Sequence, residues 1–177
     1  MELIAMNKVR NEEEKIKDRM TQKIGVLNRR ETEARILVPF IESLSKTFGK
    51  AEVIEILSKT IKDLSRKQGK DLALEYGNDV DAFLETLEFW TKDGALEIEV
   101  LEKSKTKLNF NVTRCKYAEL YKSMGIQELG AIFSCNRDFA MVEGFNETAK
   151  LKREQTILDG SSCCTFRYDF GTEKKNG

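Results

Sequence analysis

The sequence predicts an α+β fold, on three observations. Apolar residues recur every three or four positions through the first half, and the period switches to two after Gly94. Two helical segments then separate one pair of alternating runs from a second, giving the order β-β-α-α-β-β behind a helical cap. A four-stranded antiparallel sheet with the helices packed on one face buries these apolar faces together. Residues 1–94 form a helical N-terminal region and residues 95–177 an α+β region, expected to pack as one continuous domain.

The helical half divides into four pieces. Residues 9–27 are highly charged, with a thin seam through Val9, Ile16, Met20, Ile24 and Leu27. Ala34, Leu37, Val38, Ile41, Leu44 and Phe48 form a broader amphipathic face. The single proline, Pro39, falls inside it and predicts a kink or a helix restart, because it lacks an N–H and crowds the preceding turn. Val53, Ile54, Leu57, Ile61 and Leu64 repeat the periodicity. Asp79 is placed to cap a shorter helix carrying Val80, Phe83, Leu84 and Leu87, which "KDG" stops. The polar residues of this half are expected on solvated faces, in a structural role.

In the second half, Leu96, Ile98 and Val100 alternate with glutamates. Leu108, Phe110 and Val112 alternate with asparagines and a threonine, and "KSKT" between the two runs suits a hairpin turn. "CKYAELYKSM" and "IQELGAIFSCNRDFAMVEGF" read as helices split at Gly125. The second hairpin is "TAKLKREQTIL", the turn "DGS", and "SCCTFRYDF". On its last strand Cys164, Phe166, Tyr168 and Phe170 share the core face, so Cys163 points away. Parity places Arg114 in line with the apolar row of the second strand, and Arg153 in line with Ala149 and Leu151. A buried charge needs a counter-ion or water, and Asp138, three residues after Cys135 on one helix face, is the natural partner.

Composition excludes several functions. Lysine plus arginine balances aspartate plus glutamate at 30 each, so no global charge favours nucleic acid or an anionic membrane. No run approaches the roughly 18 apolar residues of a membrane span. The opening "MELIAMNKVRNEEEK" lacks the apolar stretch of a signal peptide, so a cytoplasmic location is expected. The four cysteines, Cys115, Cys135, Cys163 and Cys164, contain no C-x-x-C pair, and a reducing compartment keeps them as thiols. The chain has no histidine, which removes Cys–His dyads and Ser–His–Asp triads.

"NVTRCKYAELYKSMG", "ELGAIFSCNRDFAMVEGFN" and "LKREQTILDGSSCCTFRYDF" together resemble the L-2-amino-thiazoline-4-carboxylic acid hydrolase family, over residues 106–170. The matching positions are Cys115, Tyr117, Cys135, Asp138, Gly144, Phe145, Asn146, Arg153, Thr156, Gly160, Cys164, Phe166 and Tyr168. The doubled cysteine at 163–164 departs from the family's usual single one. The resemblance implies a hydrolase that opens a cyclic isothiourea bearing a carboxylate and yields an N-carbamoyl cysteine. Catalysis is then expected from Cys115, Asp138, Cys135 and Cys164, and substrate binding from Arg114, Arg153, Asn111 and Tyr117.

Two attacking groups stay open. Water deprotonated by Asp138 is one. The other is a Cys115 thiolate, favoured by the adjacent Arg114 and by a helix start, either of which lowers a thiol's pKa. The expected partner is a small-molecule substrate, and a homodimer is compatible with the sequence. No cofactor is expected, although Cys115, Cys135 and Cys164 with Asp138 also compose a tetrahedral zinc set of long spacing. A non-catalytic small-ligand-binding or sensor domain, resembling 4-vinyl reductase domains, is the alternative from a different class.

Overall fold

The computed structural model describes residues 19–171. Val9 and Ile16 of the first apolar seam lie outside the described residues. Helix α1 (Arg19–Phe48) and helix α2 (Lys50–Tyr76) are joined at Gly49, and α3 (Val80–Thr86) and the one-turn α4 (Glu88–Thr91) follow. Asp79 caps α3 as its sequence position predicts, its carboxylate accepting from the Ala82 N–H at 2.8 Å. Among the described residues no helix is long and apolar enough to cross a membrane.

The interruption of α1 falls at Gly25 rather than at Pro39. Gly25 adopts φ 73° and ψ 165°, a combination that glycine enters without steric cost. Lys92 closes over the break and donates from Nζ to the Lys23 carbonyl at 3.0 Å. Pro39 lies on the exposed face of the helix, so the carbonyl that its missing N–H leaves free is not enclosed in the core.

Strands β1 (Leu96–Lys103), β2 (Lys107–Cys115), β3 (Lys150–Lys152) and β4 (Cys164–Asp169) form one antiparallel sheet in the order β1-β2-β4-β3. Ser104 makes the first hairpin turn, its N–H reaching the Lys107 carbonyl at 2.8 Å. The fold is thus the α+β arrangement expected, with two local differences. Val100 is half exposed on the edge strand β1, and a register shift follows it between Val100 and Glu102. The strand expected to continue through Arg153 stops at Lys152, and residues 153–163 leave the sheet as a loop. Thr156 organises that loop: its Oγ1 accepts from the Asp159 N–H and its carbonyl from the Ser161 N–H, both at 3.1 Å.

Between β2 and β3 run α5 (Lys116–Ser123), the short α6 (Gln127–Gly130), a π-helical turn (Ala131–Cys135) and α7 (Arg137–Phe145). The π turn interrupts what the sequence presents as one helix, and its Asn136 N–H reaches back five residues to Ala131. Such turns concentrate at functional sites.

Two apolar clusters hold these layers together. Phe83 packs against Phe145, Tyr168 and Phe170 over the inner face of the sheet, with Leu108, Phe110, Val112 and Val142 around it. Val26, Ala34, Ile61, Tyr121 and Phe133 join α1 and α2 to the middle helices. Trp90, Leu96, Cys115 and Ile157 pack against both clusters, so the seam between them passes the end of β2. Helices α2 and α7 approach to backbone contact. A Cβ on Gly69 would stand 2.1 Å from the Met141 carbonyl oxygen, and one on Gly144 would stand 2.0 Å from that of Arg66. Ser65 adds a hydrogen bond from Oγ to the Arg137 carbonyl at 2.9 Å. This clasp fixes the first turn of α7 against the seam.

Candidate active site

The orientation of Cys115 comes from a bulge. In β1 and β2, Leu96 pairs with Cys115 and Glu97 with Arg114, but Ile98 pairs with Val112, leaving Thr113 as an extra residue. An extra residue reverses the alternation beyond it. Val112 faces inward, Thr113 and Arg114 face out, and Cys115 faces in again. Simple parity therefore misplaces Arg114. Its side chain is 51% exposed and pairs with Glu119 at 2.9 Å and Glu97 at 3.6 Å. Arg114 does not line the cavity described next, and it is not among the groups that act on the Cys115 thiol.

At the seam between the two clusters the chain encloses a cavity with about 80 Å³ open to the centre of a water molecule. A single water needs roughly 10–15 Å³ by that measure, so the space suits several waters or a small organic molecule. Cys115, Cys135, Cys164, Asp138, Arg153 and Tyr117 all line it. Asn111 does not. It sits on the opposite face of the sheet, accepting from Arg167 Nη2 at 2.9 Å, as its alternation with Phe110 and Val112 requires. Cys163 is also outside the lining, bonded to the Gln155 side chain.

Asp138 and Arg153 form the central ion pair. Nη1 of Arg153 donates to Asp138 Oδ2 at 2.6 Å, and Nη2 donates to the Cys135 carbonyl at 2.8 Å. The guanidinium also lies over the rings of Phe139 and Phe166, at 5.0 and 5.4 Å from their centroids. Arg153 is thus held by a carboxylate, a carbonyl and two aromatic faces, although it stands on a loop and not on the strand expected. Burial pushes the Asp138 carboxyl up to about 6, outweighing the downward pull of Arg153, Arg137 and Arg30. A carboxylate of that value is mostly ionised at neutral pH and still basic enough to accept a proton.

The thiols behave oppositely to the thiolate expectation. Cys115 caps α5, its Sγ accepting from the Ala118 N–H at 3.4 Å. Burial nevertheless raises it to about 11, with Cys164 and Asp138 adding to the rise against two backbone N–H groups. Cys135 is raised to about 12, chiefly by burial and then by the Asp138 charge. Cys164 is likewise raised by burial, while its Sγ accepts from the Ile157 N–H at 3.2 Å. All three are neutral thiols near pH 7. Among the described residues no three Cys, Asp or Glu side chains are grouped closely enough to hold a metal ion, so the zinc set does not fit this arrangement.

Sequence reasoning missed the arginines of the helical wall. Arg30 is only 4% exposed, lines the cavity, and donates to Glu33 Oε2, while Arg29 donates to Oε1 of the same carboxylate at 2.8 Å. It occupies an inward position of the α1 face, four residues after Val26 and four before Ala34, so the spacing itself carried the signal. Arg137, beside Asp138, lines the cavity too and donates to Gln68 Oε1 at 2.8 Å. Tyr121 and Ser134 share a hydrogen bond of 2.8 Å on the same wall, and Tyr117 donates to the Trp90 carbonyl at 3.1 Å. The first half therefore contributes side chains to the cavity wall, Arg30 and Ser65 among them.

Residues 29–168 match the family described as L-2-amino-thiazoline-4-carboxylic acid hydrolase, which covers most of the chain; the chain belongs to this family, whose name is that of a hydrolase. No curated protein matches it in sequence. Among solved structures it is similar to a trafficking protein particle complex subunit 3 from Naegleria fowleri covalently bound to palmitic acid. There the identity is 14%, with 81% of this chain and 96% of that chain covered and a TM-score of 0.45.

Proposed function

We propose that this member of the L-2-amino-thiazoline-4-carboxylic acid hydrolase family opens a small cyclic amidine or isothiourea carboxylate by adding water that Asp138 activates. The observation that carries this reading is the pairing of a carboxyl held at about 6 with thiols held at about 11 and 12 around one cavity. Of the two attacking groups compatible with the sequence, only the carboxylate is in its reactive form near pH 7. Arg153 keeps Asp138 oriented, leaving its second oxygen to a ligand.

In the proposed reaction the water oxygen bonds to the amidine carbon and the ring carbon–sulfur bond breaks. One water proton travels through Asp138 to the departing sulfur, and the other ends on the ring nitrogen. The products of that balance are a thiol and a new carbonyl, an N-carbamoyl cysteine when the substrate is L-2-amino-thiazoline-4-carboxylate. The route uses no cofactor. Cys115, Cys135 and Cys164 shape the cavity as neutral groups and lower its polarity, which raises the Asp138 value further. A reducing, cytoplasmic setting keeps those thiols free.

Incubating the protein with L-2-amino-thiazoline-4-carboxylate and titrating new thiol tests the reading. Enzyme-dependent thiol release with a mass gain of one water is the expected result. Thermal stabilisation by the compound with no product would overturn the hydrolase reading in favour of a binding module.

A further inference from the structure

We infer that the helical wall of the cavity is a carboxylate-binding subsite centred on Arg137, which receives the acid group of the ligand while its ring faces Asp138. This rests on reading the cavity as the reaction site. Three guanidinium groups line the cavity, those of Arg30, Arg137 and Arg153, against one lining carboxylate, Asp138. Arg153 is paired with Asp138, and Arg30 with Glu33, which Arg29 shares. Arg137 is left. Its protein partner is the neutral Gln68 amide, and no described carboxylate stands within ion-pair reach of it.

A largely buried cation with only a neutral partner is costly unless an anion or water compensates it. Burial and the neighbouring Arg30 lower the Arg137 value to about 10, which leaves it charged at neutral pH. No buried side-chain nitrogen or oxygen among the described residues lacks a partner, so the N–H groups of Arg137 not used by Gln68 are not sealed off, and the residue lines the cavity. The Ser65 bond to the Arg137 carbonyl and the Gln68 bond to its side chain hold both ends of the residue in place. A planar fork with free donors, fixed where guanidinium groups outnumber carboxylates, matches a carboxylate. The consecutive positions of Arg137 and Asp138 then set ligand polarity, with the acid end on one and the amidine end on the other.

The probes are 2-aminothiazole-4-carboxylate, whose aromatic ring resists opening, and its uncharged carboxamide. Calorimetric titration of the full chain is expected to give a preference of about ten- to a hundredfold for the acid, the range of a charge-assisted contact. Arg137→Gln should erase the preference, Arg137→Lys should reduce it to a few-fold, and Arg114→Gln should leave it intact. Equal binding of acid and amide by the unsubstituted protein would overturn the inference, whether or not the variants fold. So would a preference that survives Arg137→Gln. Absence of turnover with L-2-amino-thiazoline-4-carboxylate, with the acid preference retained, would sink the hydrolase reading alone and leave the subsite standing.

Discussion

Asp138→Asn is expected to change how stability depends on pH in a way that no surface carboxylate would. In the folded chain the Asp138 carboxyl is raised by burial to about 6, against an ordinary 3.8. Folded and unfolded values differ by about two pH units, each worth about 1.4 kcal/mol, so the penalty for ionising Asp138 in the cavity is about 3 kcal/mol. The sign follows from proton linkage. Between about pH 4 and 6 the native chain holds a proton that the unfolded chain has released, so this group lowers stability as pH rises through that window. Below about pH 4 both states are protonated and the penalty disappears. Glu33 works in the opposite sense: burial alone would raise it, but Arg30 and Arg29 hold it below the ordinary value, so its contribution is lost on acidification. Subtracting the two proteins' curves cancels Glu33. The variant also removes the Arg153 counter-ion, and the Asp138 value of about 6 already includes that attraction. Urea denaturation at pH 4, 5, 6 and 7 should show the variant gaining about 2 kcal/mol on the unsubstituted protein across the series, since part of the penalty is already present at pH 4. A flat difference would refute the reasoning, because Asp138 would then titrate as though solvated.

Iodoacetamide near pH 7 should label Cys163 well before Cys115, since a thiol at about 11 is thiolate in only about one molecule in ten thousand; mass mapping of the first labelled peptide reads this directly. Gly144→Ala should cost at least about 1–3 kcal/mol in urea denaturation, because its Cβ would meet the Arg66 carbonyl oxygen at 2.0 Å and force α2 from α7.

Most of the architecture was legible because period and parity report directly on burial. The switch at Gly94, the Asp79 cap and the last strand with Cys164 inward and Cys163 outward all follow from spacing. What spacing could not report was any place where the chain inserts a residue or leaves a regular element. The bulge at Thr113 turned Arg114 out and Cys115 in, and nothing in "NVTRC" announces it. The π turn before Asn136 likewise hides inside a helical pattern. Helical backbone runs through Pro39 on an exposed face, while the non-helical break falls at Gly25, which apolar spacing does not mark. Much of the family pattern is architectural: Gly144 lets two helices touch, Asn146 holds the turn after α7 by accepting from Thr148, and Thr156 ties the loop before β4. Within the cavity, Cys115, Cys135, Asp138, Arg153 and Cys164 were visible as chemistry-bearing residues in those motifs, whereas Arg30 and Arg137 were not. Their significance depends on which counter-ions the fold brings near, and linear spacing does not record that.

The central claim is that a buried carboxylate and not a thiolate activates the attacking water. The most direct measurement is kcat/KM for L-2-amino-thiazoline-4-carboxylate with Asp138→Asn and Cys115→Ser side by side at neutral pH. The account predicts a loss of about 10²–10⁴-fold for Asp138→Asn, the usual range for removing a general base, with Cys115→Ser keeping most activity. Abolished turnover in Cys115→Ser, with activity retained in Asp138→Asn, would contradict it.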